Sequence, residues 1–364
     1  MRYLMVSSYA PTHCGIAAYA EQSVAQLRAH GHIVDVVSPD GQGNVDFAWD
    51  LRGGAKILKL FQLLPYYDKV SIQYQWTFFY AHPFDRERRW ETLKTTLCFM
   101  LLFLRTRKIE IVAHEIPYIP GKRGWLYKWQ WKLAPKVVFH TATELAHFQQ
   151  HYKMRLPMSR VEIRSHHAAF QRFCTHTRST ARRQLGVPQD KLVFLCIGFI
   201  QRHKGFHRAM QAFTRCSLRD AELYVVGSIR VPDSENRRYL AELQELCAGD
   251  PNLHLTESFV SDEDFDTWIT AADWVVLPYS EIWSSSVLAR TRLLERPAIV
   301  SVVGGLSDQV YDGDLLFRTD EELVSALQTA ASRGQAVTAS SVRRSSEIGG
   351  EAHVKAARGP DGVA

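Results

Sequence analysis

Short apolar runs rich in β-branched residues alternate with helical stretches along this chain, and the alternation begins twice. The first run, residues 3–7, leads through a loop with Pro and Gly into a stretch whose apolar residues recur every three or four positions from Ile16 to Leu27. A second apolar run follows at 33–38. A strand, a helix and a strand in this order predict parallel strands joined by a right-handed crossover. The pattern therefore predicts the α/β class.

A second series of strands and helices begins near residue 190. Residues 191–197, KLVFLCI, have the composition of a buried strand, and a helix over 206–216 and a strand over 221–226 follow. The other predicted strands are 69–73, 109–113, 136–140, 274–277 and 298–303. Open parallel sheets bind ligands outside the carboxyl ends of their strands. Two such sheets predict a ligand site in the cleft between them.

The 364 residues divide into four predicted segments. Rossmann-like, doubly wound domains are predicted over 1–172 and 190–332. Residues 173–189 are predicted as a linker, because an Arg/Thr/Ser-rich stretch interrupts the apolar period there. Residues 333–364 lack aromatic residues and a sustained apolar face, which predicts a disordered tail.

Composition argues against several classes of protein. Lys and Arg number 44 against 38 acidic residues, a net charge of +6, and no basic stripe is evident on one helix, so a nucleic-acid binder is not expected. The six cysteines form no CxxC pair or Cys/His cluster, so we expect no bound metal and no disulfide framework. Such cysteines indicate a reducing, cytoplasmic compartment. The apolar run 97–104 is too short to span a bilayer and predicts a buried helix ending at Arg105.

Two loops after predicted strands have the composition of phosphate sites. In residues 9–16, Gly15 stands before a helix, where a ligand can approach the backbone and free N–H groups attract phosphate. The alternative is that Gly15 only permits a tight turn. In residues 198–205, Gly198 and Gly205 bracket Arg202 and Lys204 before a helix, which favours diphosphate binding. The alternative there is solvated surface cations.

A third loop leads from the strand at 274–277 into a helix. Ser284, Ser285 and Ser286 stand at the helix start, where they offer capping and free N–H groups. Glu281 offers a carboxylate to sugar hydroxyls. The alternative is an ordinary helix cap beside a solvated glutamate.

These segments together resemble the family 4 glycosyltransferases of the GT-B fold, over about residues 2–330. PTHCGIAAYAEQ resembles the Gly-rich first loop and helix of that family, GFIQRHKGF its diphosphate loop and HLTESFVSDEDF its base-recognition loop. AADWVVLPYSEIWSSSVLARTRLLERPAIVSVVGGL resembles its donor-sugar segment. The resemblance implies a GT-B fold, with the acceptor on the first domain and the nucleotide sugar on the second.

The resemblance also implies residue roles. It implies that His114, Glu281 and Lys204 are catalytic, with Lys204 neutralising the diphosphate and the other two facing the transferred sugar. Without the resemblance, the first interpretation of His114, at the end of a strand, is a packed and hydrogen-bonded core histidine. The implied donor-binding residues are Gly15, Gly198, Arg202, Lys204, Gly227, Phe259, Val260, Glu281, Ser284, Ser285, Ser286 and Arg290.

Two positions depart from the family pattern. Phe199 replaces the arginine expected after the first glycine of the diphosphate loop, so Arg202 is a candidate substitute. Ala289 replaces a glutamate expected to reach the ribose, with Arg290 as a candidate substitute. Loss of a charged hydrogen bond there would weaken nucleotide binding by roughly 1.5–3 kcal/mol.

The sequence gives a weaker indication of where an acceptor would bind. The segments 73–80 and 121–132 combine aromatic and basic residues, which suits a sugar platform or a membrane interface. The alternative is an ordinary helix packed on the sheet, because Trp125, Trp129 and Lys132 share one helical face. His166 and His167 stand near the domain junction, where they could line the cleft, but their spacing does not require it.

The predicted function is a retaining hexosyltransferase that moves a hexose from a UDP-, GDP- or ADP-linked donor to a hydroxyl, with no cofactor and no metal. The acceptor is predicted to be a saccharide, a lipid-linked saccharide or a small natural product. A cytoplasmic protein is expected, with possible peripheral contact at the inner face of the membrane and no nucleic-acid partner. The alternatives are a non-catalytic GT-B homologue that binds a sugar nucleotide or a partner enzyme, and a GT-B epimerase or phosphorylase.

Overall fold

The computed structural model describes residues 1–81, 89–115 and 124–333, which form two α/β domains. The strands of the first domain are β1 (Arg2–Val6), β2 (Ile33–Ser38), β3 (Phe47–Ala48), β4 (Lys69–Tyr74), β5 (Ile109–Ala113), β6 (Lys136–Phe139) and β7 (Val161–Ile163). Its helices are α1 (Gly15–Ala29), α2 (Trp76–Phe79), α3 (Arg89–Arg105), α4 (Gly124–Leu133) and α5 (Ala142–Tyr152). All seven strands pair in parallel, in the order β3-β2-β1-β4-β5-β6-β7.

The second domain repeats this plan with a six-stranded parallel sheet. Its strands are β8 (Leu192–Ile197), β9 (Ala221–Gly227), β10 (Leu253–Glu257), β11 (Trp274–Leu277), β12 (Ala298–Ser301) and β13 (Leu315–Phe317). Its helices are α6 (Arg178–Leu185), α7 (Phe206–Cys216), α8 (Ser234–Ala248), α9 (Asp262–Ala271), α10 (Ser286–Leu293) and α11, residues 320–333. The strand order is β10-β9-β8-β11-β12-β13.

Helices cover both faces of each sheet, which explains why the strands are apolar at nearly every position. In β8, Phe194 and Cys196 pack into one core cluster, whereas Val193 and Leu195 pack into the cluster on the opposite face. Successive side chains of a strand point to opposite faces, so both faces of β8 need apolar residues. The short strands β3, β7, β10 and β13 at and near the sheet edges were not predicted from the sequence.

The chain reverses its direction of travel across each sheet at one place. In the first sheet this switch point lies between β1 and β4, and in the second between β8 and β11. Crevices open at the carboxyl ends of strands at such points. The loops after β1, β8 and β11 contain the three sequence segments with predicted ligand-binding residues.

The segment predicted as a linker, 173–189, contains helix α6. Thr177 caps the helix by accepting a hydrogen bond from the N–H of Thr180, and Gly186 ends it in the left-handed conformation. Arg182 is fully buried and donates from Nε to the carbonyl of Ala271 at 2.8 Å and from Nη2 to Asp273 at 2.6 Å. The Arg-rich composition hid a helix because a buried arginine, rather than an apolar stripe, attaches it to the domain.

The helix predicted as buried over 97–104 is buried on one face only. Phe99, Leu102 and Phe103 lie in the core of the first domain. Leu97, Leu101 and Leu104, on the opposite face of α3, are 48%, 49% and 68% exposed. Among the described residues, no helix has the length and apolar character required to cross a bilayer.

The last described element is α11, and Leu323, Leu327 and Ala330 on it pack into the core of the second domain. The predicted tail begins at the end of this helix. Its residues 334–364 lie outside the described part of the chain, as do residues 116–123.

Candidate functional site

The loops after β8 and β11 meet at the switch point of the second sheet. The backbone N–H of Ser280 donates to the carbonyl oxygen of His203 at 2.9 Å, and its hydroxyl donates to the same oxygen at 3.3 Å. This contact places Lys204 over the ring of Tyr279, with the ammonium nitrogen 4.1 Å from the ring centroid. The two predicted donor segments therefore form one surface.

Lys204 is the principal charge of this surface. Its side chain is partly buried, and within the described ranges its ammonium group has neither a carboxylate partner nor a hydrogen bond. Burial lowers the pKa of Lys204 to about 8. A desolvated cation that faces only a π system gains stability when an anion neutralises it. The surface is therefore suited to an anionic ligand.

Glycines at three positions allow the loops to come this close. A Cβ at Gly227 would lie 1.8 Å from the carbonyl oxygen of Gly198, and a Cβ at Gly205 would lie 2.0 Å from that of Pro278. Gly205 also has a φ of 66° and Gly198 one of 131°, conformations that residues with a Cβ rarely adopt. Beside Gly198, only Val287 at 3.8 Å would contact a Cβ. Gly205 and Gly227 are thus required for packing, whereas Gly198 leaves space for a ligand.

Ser285 and Gln309 fix the start of helix α10. Ser285 Oγ accepts a hydrogen bond from the N–H of Leu288 at 3.2 Å, and the amide of Gln309 bonds the backbone N–H and carbonyl of Ser285 at 2.8 and 3.1 Å. Buried Ser285 is therefore a structural cap. Ser284 and Ser286 are partly buried on the same turn, which leaves them as the candidate ligand contacts.

The remaining predicted donor residues differ in their surroundings. Glu281 lies exposed on the loop that precedes α10. Gly15 begins α1 with no atom within 4 Å of the position of a Cβ, so the backbone there is open to a ligand. Phe259 is 51% exposed, and Val260 packs against the core of the second domain. Of this pair, only Phe259 presents a face to the cleft.

Arg202 is not a free cation in this structure. Its guanidinium forms an ion pair with Glu242 on α8 and lies over the ring of Tyr239, 5.3 Å from the centroid. The predicted compensation for Phe199 by Arg202 is therefore not supported by the geometry, because the side chain already has a carboxylate partner.

Arg290 is likewise committed to protein partners. It is buried, and it donates to Asp266 at 2.7 and 2.9 Å and to the Asp262 carboxylate at 2.6 Å. The nearby Ala289 is 3% exposed and packs with Tyr19 and Phe170 in an apolar cluster between the domains. The prediction that Arg290 replaces a ribose contact at position 289 is thus corrected, because its guanidinium is bonded to two carboxylates and Ala289 is packed in the apolar cluster.

Further contacts join the two domains across the cleft. Asp308 of the second domain accepts hydrogen bonds from the N–H and hydroxyl of Thr143, at 2.7 and 2.9 Å, at the start of α5. The Gln22 amide donates to Asp262 at 2.9 Å. The rings of His13 and Phe259 stack with centroids 3.6 Å apart and an angle of 7°. The cleft is therefore narrow in this arrangement.

The first domain's wall of the cleft is formed by residues that follow β5 and by α5. His114 and Glu115, directly after β5, line a crevice too narrow to hold a water molecule, together with Glu144 of α5 and Trp283 of the second domain. Burial raises the pKa of Glu115. A larger cavity, about 500 Å³, lies between α7 and α8 and is lined by none of the predicted site residues.

His114 belongs to a group of three buried or partly buried histidines with His140 and His166. Burial lowers the pKa of all three, that of His140 to about 4, so the rings are neutral. His140 and Glu115 had no assigned role from the sequence. Their position in the sequence could have identified them. His114, Glu115 and His140 directly follow β5 and β6, and ligands bind at the carboxyl ends of parallel strands.

Solved structures share this architecture. Anabaena HepE in complex with UDP aligns with a TM-score of 0.65 at 15% identity, over 92% of this chain and 91% of that one. Sucrose-phosphate synthase from Thermosynechococcus elongatus aligns with a TM-score of 0.66 at 17% identity, over 91% and 90% of the two chains. With two facing parallel-sheet domains, the protein has the GT-B fold, as predicted.

The family described as glycosyl transferases, group 1, matches residues 177–335. A D-inositol 3-phosphate glycosyltransferase of Nocardioides sp. is 30% identical over 168 residues, which is 43% of this chain and 36% of that protein. The match thus spans well under half of this curated relative. The family match covers the second domain, and the predicted family resemblance is confirmed.

Proposed function

We propose that the protein is a retaining glycosyltransferase that moves a hexose from a nucleotide diphosphate sugar to a hydroxyl acceptor. The observation that supports this most is Lys204, a partly buried ammonium group without an anionic partner among the described residues. It lies where the β8 loop, the β11 loop and the start of α10 converge. The solved neighbour HepE was crystallised with UDP and with UDP-glucose, so uridine nucleotides are the first donors to test.

In the proposed reaction, the bond between the anomeric carbon and the diphosphate oxygen breaks, and a bond to the acceptor oxygen forms on the same face. The acceptor proton passes to the departing diphosphate. Lys204 and the open N–H groups near Ser284, Ser286 and Gly15 stabilise the charge that grows on this leaving group. Glu281 holds sugar hydroxyls. No metal is assigned to this step, because Lys204 supplies the positive charge.

The acceptor is proposed to enter from the first domain. His114 and Glu115 face Trp283 across a narrow crevice at the end of β5. If the domains move apart to admit an acceptor, its hydroxyl would approach the donor segment there. An indole face suits a sugar ring. The proposed acceptor is therefore a saccharide, a lipid-linked saccharide or another polyhydroxylated compound.

Calorimetric titration with UDP, GDP and ADP tests the donor site directly. We expect Lys204→Met to weaken binding of the preferred nucleotide about 10- to 150-fold, the equivalent of a charged hydrogen bond of about 1.5–3 kcal/mol. Lys191→Met is the matched control, because Lys191 pairs with Glu222 at 2.7 Å away from the predicted site residues. Unchanged affinity in Lys204→Met, or no nucleotide binding at millimolar concentration, would contradict the proposal.

A second candidate function is a non-catalytic homologue that binds a sugar nucleotide or a partner enzyme. Ala289 favours it, because the position that the resemblance assigns to a ribose-binding glutamate is packed against Tyr19. This candidate gains support if a nucleotide sugar binds but is neither hydrolysed nor transferred to a panel of sugar acceptors. Conversion of the donor sugar without an acceptor would indicate an epimerase instead.

We further propose that α3 contacts an anionic membrane surface. Trp90, Leu97, Leu101 and Leu104 form an exposed apolar row on this helix, with exposed fractions of 79%, 48%, 49% and 68%. Lys94, Arg105 and Arg107 are exposed around the same row. Apolar rows edged with cations suit the interface of acidic bilayers.

Sedimentation with lipid vesicles tests this contact. We expect binding to vesicles that contain an anionic lipid, weaker binding to zwitterionic vesicles, and loss of binding in Leu101→Glu/Leu104→Glu. Val231→Glu is the control, since Val231 is an equally exposed apolar residue of the second domain. Equal binding of both variants would refute the contribution of α3.

A further inference from the structure

Three histidines converge on one point of the first domain from three separate elements. His114 follows β5, His140 follows β6, and His166 begins a short 3₁₀ turn, His166–Ala168. Each can place one ring nitrogen within 4.8 Å of a ring nitrogen of both others. The ring centroids of His140 and His166 are 3.6 Å apart, and those of His114 and His140 are 5.1 Å apart.

Hydrogen bonds to the outer nitrogens determine which nitrogen of two rings is free. His140 Nδ1 lies 2.9 Å from the carbonyl oxygen of Arg164. A carbonyl only accepts, so Nδ1 carries the proton and Nε2 keeps its lone pair. That Nε2 is buried and has no hydrogen-bond partner among the residues that the structure describes. His140 thus presents a free electron pair in a desolvated place.

The same reasoning applies to His114. Its Nε2 lies 2.8 Å from the side-chain oxygen of Gln73. The Gln73 amide nitrogen donates to Ser71 Oγ at 3.1 Å and contacts the Met5 sulfur at 3.3 Å, which fixes the oxygen toward the histidine. His114 Nε2 therefore donates, and its Nδ1 is left as an acceptor.

His166 completes the group. It is 7% exposed, and its Nδ1 is buried with no hydrogen-bond partner in the described part of the chain. The ring of Tyr19 stands edge-on to all three histidines, at 5.2 to 5.4 Å between centroids. Buried nitrogens without partners destabilise a fold unless something else satisfies them.

We propose that His114, His140 and His166 bind one divalent transition-metal ion, with zinc as the best-fitting ion. Neutral imidazoles whose other nitrogen donates to a carbonyl or amide oxygen are the usual ligand arrangement for zinc. A donor set of three nitrogens without a carboxylate disfavours magnesium and calcium. With zinc–nitrogen bonds of about 2.1 Å, the three nitrogens would stand about 3.4 Å apart. One ring nitrogen of each histidine lies within 4.8 Å of the others here, so binding would draw the rings closer together.

Three protein ligands leave one position of a tetrahedral ion for a solvent molecule or a substrate oxygen. His114 also lines the crevice that faces Trp283, so this position is close to the proposed acceptor path. The inference does not depend on the proposed transfer reaction, because Lys204 and the donor loops belong to the other domain. It assigns His114 to the ion through Nδ1 while Nε2 stays on Gln73.

Metal binding tests the proposal without an activity assay. The full chain, prepared without a polyhistidine tag and dialysed against a chelator, is titrated with Co²⁺ and then with Zn²⁺. We expect one ion per chain by elemental analysis, a visible tetrahedral absorption spectrum for Co²⁺, and its loss when Zn²⁺ displaces Co²⁺. A spectrum identical to that of Co²⁺ in buffer, with less than stoichiometric zinc after dialysis, would overturn the proposal.

Single variants distinguish this site from adventitious binding. His140→Asn and His166→Asn are expected to abolish the Co²⁺ spectrum and the rise in melting temperature that zinc gives the wild type. His167→Asn is the matched control, because this neighbouring histidine is exposed and lies outside the group. Retention of the spectrum in both ligand variants, or its loss in His167→Asn, would also overturn the assignment. If a ligand variant does not fold, the spectrum and stoichiometry of the wild type decide.

Discussion

The two domains share one architecture, but their candidate functional residues are organised in opposite ways. In the second domain, Gly198, Lys204 and Gly205 fall within eight consecutive residues, and the β11 loop adds a second compact segment. In the first domain, His114, His140 and His166 stand 26 positions apart and meet only in the folded sheet. The proposed donor site is thus a local feature of the chain, whereas the proposed acceptor and metal site is a product of topology.

This difference follows from what each site must bind. A phosphate group is recognised by backbone N–H groups at a helix start and by one cation, and a single loop can supply both. Side-chain sites for hydroxyls or metals need groups that approach from several directions, and neighbouring parallel strands provide those from distant parts of the sequence.

The strongest test of local organisation is Gly227→Ala. A Cβ at this position would lie 1.8 Å from the carbonyl of Gly198, so the β8 loop must move. We expect a loss of roughly 3 kcal/mol in the stability of the second domain together with loss of nucleotide binding. Scanning calorimetry and nucleotide titration measure the two effects.

Gly15→Ala is the matched change in the first domain. A Cβ there would contact nothing within 4 Å, and alanine favours a helix over glycine by about 1 kcal/mol. We expect no loss of stability. If Gly15→Ala and Gly227→Ala reduce stability by similar amounts, the backbone is packed equally tightly at both glycines, and the two domains do not differ in this respect.

The next test uses the charge of Lys204. Burial lowers the pKa of Lys204 to about 8, so the free protein loses this positive charge as the pH rises through 8. Binding of a diphosphate should therefore weaken above pH 8, approaching tenfold per pH unit. Lys204→Arg keeps its charge throughout and should bind with a flat pH profile by titration calorimetry.

The lowered pKa of Lys204 affects the stability of the fold in the opposite direction from ligand binding: binding weakens as the pH rises, whereas stability increases. The lysine pKa in the unfolded chain is about 10.4, so between pH 8 and about 10.4 the unfolded state binds more protons than the folded state. The contribution of Lys204 therefore makes the free protein more stable as pH rises across this window. The measurement is the difference in unfolding free energy between the wild type and Lys204→Met as a function of pH. If the wild type loses stability relative to the variant between pH 8 and about 10.4, the ammonium group is not desolvated and unpaired as described.

Much of the fold could be predicted from the sequence, because parallel strands buried on both faces leave continuous apolar runs such as KLVFLCI. The edge strand β13, three residues long, is too short to give such a signal. Helix α6 was missed because buried Arg182, hydrogen-bonded to backbone carbonyls, replaces the apolar stripe that would have revealed it.

The candidate site was predictable only in part, for related reasons. Lys204 and the glycines around it are adjacent in sequence, whereas the partners of Arg202 and Arg290 are acidic residues on other helices. A cation has the same sequence signature whether it faces a ligand or a carboxylate. The difference between Lys204 and the two cationic candidates Arg202 and Arg290 is therefore visible only in tertiary structure.

Contacts between the domains offer a third test. Asp308→Ala removes two hydrogen bonds to Thr143 at the start of α5, which should cost about 1 kcal/mol and open the cleft. Ser261→Ala removes a similar cap within the second domain alone. Small-angle scattering should show expansion for Asp308→Ala and none for Ser261→Ala. Equal profiles would mean that this contact does not hold the domains together.

The smallest expected effect concerns Phe259, the residue that connects the two kinds of site. Its ring stacks on His13 of the first domain at 3.6 Å, although the resemblance assigns it to the nucleotide base. If the base takes the place of His13, Phe259→Ala should weaken nucleotide binding about 2- to 12-fold, since an aromatic stack contributes about 0.5–1.5 kcal/mol.

His13→Ala separates the two interpretations of this stack. Removal of a competing ring should leave nucleotide affinity equal to or slightly above that of the wild type, because the ring of Phe259 becomes free for the base. If His13→Ala instead weakens binding as much as Phe259→Ala, the two rings act together on the nucleotide. The donor site would then include a side chain of the first domain, and the contrast between a local donor site and a dispersed acceptor site would no longer hold.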